Sequence, residues 1–132
     1  MPLELSLLPA RFAVCRLDAG AEPPAWASRG SFSSVSRTAD ETSVVCEDGF
    51  VPDGVQADRG WRALKAAGPL DFGLTGVLLA IAAPLAAAGV SLFAVSTYDT
   101  DYVLVKDAAI ETALAALRSA GHGVSVSESF GN

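Results

Sequence analysis

The 132-residue sequence holds one histidine, two cysteines and nine basic residues against fifteen acidic ones. Each shortage excludes something. The lone His122 and the isolated Cys15 and Cys46, with no Cys-x-x-Cys spacing, offer no ligand set for a metal centre. A formal net charge of −6 and the absence of any basic run speak against DNA, RNA and anionic membranes as partners, because Lys and Arg hold such surfaces. There is no Gly-rich phosphate loop, no nucleophile elbow and no Ser or Cys motif beside the single histidine. No catalytic residue and no cofactor is therefore expected. Asp99 and Asp101 are a carboxylate pair, but a turn between them spoils the geometry for acid–base work.

A secretory signal is also missing. The start, MPLELSLLPARF, has an acid at Glu4, no basic region and no long apolar run, so a cytoplasmic chain is expected. Cys15 and Cys46 then read as small reduced core residues. Charge is absent altogether from Phe72 to Tyr98, a length that raises the question of a membrane helix. Pro84, Gly89 and a change of hydrophobic period after Gly89 answer it: no span is expected.

What is present is apolar. Hydrophobic residues make up 51% of the chain and charged ones 18%, which favours a packed core over disorder. The length suits one ordinary domain or two very small ones. In the second half, Trp61–Ala67 reads as a strand, although its alanines also allow helix. Leu74 or Thr75 opens an Ala-rich helix with Val77, Leu78, Ile81 and Leu85 at helical spacing, stopped by Gly89. Val90–Val95 and Asp101–Lys106 form a hairpin, and Asp107 caps a second helix with an Ile110, Leu114, Leu117 stripe. Gly121 ends that helix, His122 suits its dipole, and Val124 and Val126 alternate with serine in a last strand. The order is β-α-β-β-α-β, the ferredoxin-like arrangement.

The first half is a fainter copy. Phe12–Leu17 is a strand, Glu22–Ala27 starts a short proline-led helix, and Phe32–Arg37 and Thr42–Cys46 form a hairpin turned by residues 38–41. Gly49–Gly60 reads as loop, and a second helix is missing. The expectation is an α+β chain of two ferredoxin-like units in tandem, 1–60 (incomplete) and 61–132, with antiparallel sheets and helices on one face. Units this small should share a sheet or exchange strands.

The run from Trp61 through Gly68-Pro-Leu-Asp-Phe-Gly-Leu-Thr-Gly-Val77, with Ala83-Pro-Leu-Ala86, Gly89–Tyr98 and Asp101–Val105, resembles the ACT domains. It is similar in particular to small bacterial tandem-ACT proteins and to the cytosolic arginine sensors called CASTOR. Phe32–Ser43 fits the first ACT unit of that architecture. The resemblance implies an amino-acid-binding regulatory module without catalysis. By position it implies ligand contacts from Thr75, Gly76 and Val77, from Thr97, Tyr98, Thr100 and Asp101, and more loosely from Asp71 and Phe72. Because the chain is half the length of those sensors, it implies a homodimer, and an effector protein as the recipient of the signal.

The chemistry of these residues agrees with that assignment. A helix N-terminus offers unpaired N–H groups and a positive dipole end to a ligand carboxylate. Gly76 permits close backbone approach, and Asp101 offers charge to an ammonium or guanidinium. Plainer readings exist: Asp99 and Thr100 as turn formers, Thr75 as an N-cap, Asp101 as a solvated edge residue, Trp26 and Trp61 as packing. If the ligand reading holds, Asp101 matters and Asp99 does not.

Overall fold

A computed structural model describes residues 2–67 and 76–126. Its elements are β1 (Glu4–Asp18), β2 (Ser34–Arg37), β3 (Glu41–Glu47), β4 (Ala57–Ala66), α1 (Val77–Ala87), β5 (Leu92–Ser96), β6 (Asp101–Lys106), α2 (Ile110–Ser119) and β7 (Gly123–Val126), with short 3-10 turns at Ala25–Ser28, Asp48–Phe50 and Asp107–Ala109. The class is α+β with ferredoxin-like order. The chain divides into two compact units: one spans Ala10–Trp61, the other combines the start of the chain up to Pro9 with the stretch from Arg62 onward.

In the larger unit the strands follow the order β7, β1, β4, β6, β5. β5 and β6 pair antiparallel with Val95 opposite Tyr102, whereas β7 runs parallel to the start of β1, Glu4 opposite Gly123. Alternation puts Leu5 and Leu7, Leu64 and Ala66, and Val103 and Val105 on one face. Helices α1 and α2 close over that face with Ile81, Leu85, Ala113 and Leu117, each at most 1% exposed. Burying a Leu- or Ile-sized side chain contributes about 1.5–3 kcal/mol, so this cluster is the unit's main source of stability.

In the smaller unit β3 pairs antiparallel with both β1 and β2. Ala13, Cys15, Val44 and Cys46 face Ala27 and Val51 in its core, with Trp26 and Leu17 packed at the margin. Phe12 meets Phe32 edge to face at 5.8 Å. The expected turn at 38–41 is there for a local reason. Thr38 Oγ1 accepts the N–H groups of Asp40 and Glu41, both at 3.1 Å, which fixes the reversal.

Four local expectations change. β1 begins at Glu4, eight residues before Phe12, because Leu5 and Leu7 have a core to enter and β7 supplies a neighbour. β4 begins at Ala57, inside the stretch expected to be loop, and Gly60 lies within it at a φ of +80°. The loop before it is fastened by Asp48, whose carboxylate accepts from Arg59 Nη1 at 2.5 Å and from the Gly60 N–H at 3.1 Å. Asp107 does not cap α2: the N-cap is Ala109, and Asp107 instead pairs with Arg62 at 3.3 Å.

His122 is the fourth. It is 6% exposed rather than sitting as a charged group on the helix dipole. Its Nδ1 accepts the Leu3 N–H at 3.0 Å, and its Nε2 lies 2.8 Å from the Ala80 carbonyl. A ring that accepts at Nδ1 must donate at Nε2, so it is the neutral Nε2–H tautomer.

Candidate ligand-binding site

β4 ends at Ala66, the next described element is α1, and α1 carries the chain back to the start of β5. The topology therefore gathers the end of β4, the start of α1 and the β5–β6 turn at one end of the larger unit. One hydrogen bond fixes part of this: Thr100 Oγ1 donates to the Ala66 carbonyl at 2.7 Å, and Thr100 is 5% exposed.

Gly76 is the N-cap of α1 at a φ of +80°, a region that only glycine enters without strain. Its carbonyl accepts the Ala80 N–H at 2.8 Å, and a Cβ built there would meet no atom of the described residues within 4 Å. Val77, the first helical residue, turns into the core and is 7% exposed. Asp71, Phe72 and Thr75 lie outside the described residues.

The hairpin turn is built by its own polar groups. The Thr97 N–H and Oγ1 both donate to the Thr100 carbonyl, at 2.8 and 3.1 Å, and the Thr100 N–H returns to Thr97 Oγ1 at 3.3 Å. Asp101 opens β6 opposite Ser96, whose hydroxyl donates to Asp101 Oδ1 at 2.5 Å. That bond orients the carboxylate and leaves its second oxygen outside this contact. Tyr98 is 81% exposed at the tip. The hairpin therefore draws Thr97, Thr100 and Asp101 together. Ser96 was not anticipated as their partner, though the strand register that pairs it with Asp101 follows from the four-residue turn.

The other polar groups have different roles. Cys15 and Cys46 are free thiols in the core of the smaller unit. Burial pushes both thiols up, Cys46 to about 11, with the neighbouring Cys15 adding to the rise, so neither is a nucleophile at neutral pH. Among the described residues no group of three or more His, Cys, Asp or Glu side chains could hold a metal ion, and no helix is long and apolar enough to cross a membrane. Trp61 is 9% exposed and packs as expected.

Residues 56–119 match the family model of the ACT domain, and residues 10–54 match a second model described as an N-terminal domain. No curated protein matches the chain. Among solved structures, the protein Atu0741 from Agobacterium tumefaciens is 36% identical, with a TM-score of 0.92 over 98% of this chain and 96% of that one. The chain belongs to the family of that Agobacterium protein. Most of the chain also has the fold of parts of aspartate kinases. The regulatory subunit from Thermus thermophilus, in a ligand-free form, superposes with a TM-score of 0.63 at 13% identity, over 88% of this chain and 95% of that one. The Clostridium acetobutylicum aspartate kinase gives 0.66 at 15% identity, over 89% of this chain and 34% of the kinase chain. At those identities the likeness is one of fold. The segment matched by the ACT model includes α1, the β5–β6 hairpin and all of α2, with the Gly76 cap and the Thr97–Asp101 turn inside it.

Proposed function

We propose that this protein is a non-catalytic regulatory module that binds a free amino acid, in the manner of the CASTOR-type arginine sensors, and passes the bound state to an effector protein in the cytoplasm. The ligand carboxylate meets the N–H groups at the start of α1, from Thr75, Gly76 and Val77. Its cationic group meets Asp101, with Thr97, Thr100 and Tyr98 around it, and Asp71 and Phe72 complete the proposed set of contacts. Two ACT-like units, the first incomplete, make up the chain, and two copies associate to build the full arrangement. The observation that carries this reading is the position of the glycine cap and the Asp101 turn at one end of an ACT domain.

The test is a thermal-shift screen of the whole chain against the common amino acids, followed by calorimetric titration with any that stabilise it. A ligand at a hundred times its Kd raises stability by about 2.7 kcal/mol, an easily read shift. With that ligand, Asp101→Asn is expected to weaken binding ten- to a hundredfold, from the roughly 1.5–3 kcal/mol carried by a hydrogen bond to a charged group. Asp99→Asn is expected to change little. No shift with any amino acid, or equal affinities for the two folded variants, refutes the assignment.

A second reading, an ACT module that only mediates association, is favoured by one observation. Thr100 Oγ1 and Asp101 Oδ1 already have partners within the protein, Ala66 and Ser96. A flat thermal-shift screen together with an intact dimer would select it.

A further inference from the structure

Ser96 and Asp101 face each other as the last pair of the β5–β6 ladder before the turn. The Thr97 N–H donates to the Thr100 carbonyl, so residues 97 and 100 are the hydrogen-bonded pair at the turn. Ser96 and Asp101 are then the adjoining non-hydrogen-bonded pair, in which facing side chains stand closest. Alternation sets Asp101 on one face with Val103 and Val105, and Ser96 on that face with Leu92. Those three apolar residues pack with Ile81 and Leu85 of α1. The two polar side chains therefore stand at the rim of the sheet face that α1 covers, Asp101 half-buried and Ser96 exposed.

We propose that Ser96 is a positioning residue for ligand binding: its hydroxyl holds the Asp101 carboxylate in one rotamer, ready for the ligand's cationic group. The contact is the 2.5 Å hydrogen bond from Ser96 Oγ to Asp101 Oδ1. Its chemistry suits that task. Asp48 and Asp107 are held by Arg59 and Arg62, whose charge cancels theirs. A hydroxyl instead fixes a carboxylate without bringing a countercharge, so Asp101 keeps its full charge for a ligand cation. Without the hydroxyl the side chain spreads over the three staggered wells open to it, and a smaller share of molecules holds it ready. The inference rests on the assignment of Asp101 in the proposed function and adds what aims that carboxylate.

The experiment titrates each common L-amino acid calorimetrically into wild type, Ser96→Ala, Ser96→Thr, Asp101→Ala and the variant carrying both alanines, with a melting curve of each. If about a third of molecules keep the carboxylate in place, Ser96→Ala raises Kd about threefold for the amino acid that wild type binds. Ser96→Thr retains the hydroxyl and is expected to restore affinity close to that of wild type. In the Asp101→Ala background the loss of Ser96 is expected to cost nothing further, because no carboxylate remains to aim. A serine that served only the strand would cost the same in both backgrounds and would not depend on the hydroxyl. No binding by wild type overturns the proposed function and this inference together. Wild-type binding that Asp101→Ala leaves unchanged overturns the role of Asp101 and this inference with it. Binding that Asp101→Ala weakens, with folded Ser96→Ala equal to wild type or equally costly in both backgrounds, overturns the role of Ser96 alone.

Discussion

Pro84 sits in the interior of α1, four residues after Ala80, and has no N–H to give the Ala80 carbonyl. His122 supplies the missing donor: its Nε2 lies 2.8 Å from that carbonyl while Nδ1 accepts the Leu3 N–H at 3.0 Å. One neutral imidazole thus ties α1, the start of β1 and the turn before β7 together. Replacing it with alanine strands two polar groups, and each buried orphan costs about 1–3 kcal/mol before any cavity is counted. A total loss of about 3 kcal/mol is expected, a large share of the roughly 5–15 kcal/mol that a domain commands. At about 3–4 °C per kcal/mol for a chain of this size, the melting temperature should fall by about 10 °C. The sharper test is the double-mutant cycle with Pro84→Ala, which returns an N–H to position 84. In that background Ala80 has its helical partner again, so His122→Ala should cost less by about 1 kcal/mol, the net value of one hydrogen bond. Urea unfolding of the four proteins measures it. Equal costs in the two backgrounds, within about 0.5 kcal/mol, would refute the substitution of His122 for the proline N–H.

Thr42, fully buried in β3, has a hydroxyl with no hydrogen-bond partner, so Thr42→Val removes an orphaned polar atom at nearly constant volume. Urea unfolding is expected to show a gain of about 1 kcal/mol, and a loss of stability would mean the hydroxyl has a use. The raised thiols give a pH prediction. Cys46 ionises near 11 when folded and near the ordinary 9.0 when unfolded, so the unfolded chain releases its proton first as pH climbs. Stability attributable to this thiol is intact below about 9 and declines between about 9 and 11. Over that window Cys46→Ala should flatten the decline in denaturation midpoint, and an unchanged slope would locate its cause elsewhere.

The larger unit's helices and hairpin follow from local pattern because each is short-range. Ile81 and Leu85 repeat at helical spacing, Gly89 and Gly121 break the helices, and the four-residue turn from Thr97 to Thr100 sets the β5–β6 register. The Thr38 turn is equally local. The apolar composition of α1 was visible in the sequence too, including the absence of any outward polar face.

What the sequence alone could not decide depended on partners far along the chain. Glu4 to Leu7 is strand because β7, about 119 positions later, lies beside it, and no local propensity announces that neighbour. Asp107 has the sequence of a helix cap, yet Arg62 draws it into an ion pair across 45 positions. Ser96 and Asp101 become a pair only once the hairpin closes, and Thr100 turns inward only because the Ala66 carbonyl waits there. His122 is the clearest case: composition shows a lone histidine and pattern shows a proline within a helix. Only tertiary packing brings the ring to the one carbonyl that the proline left without a donor.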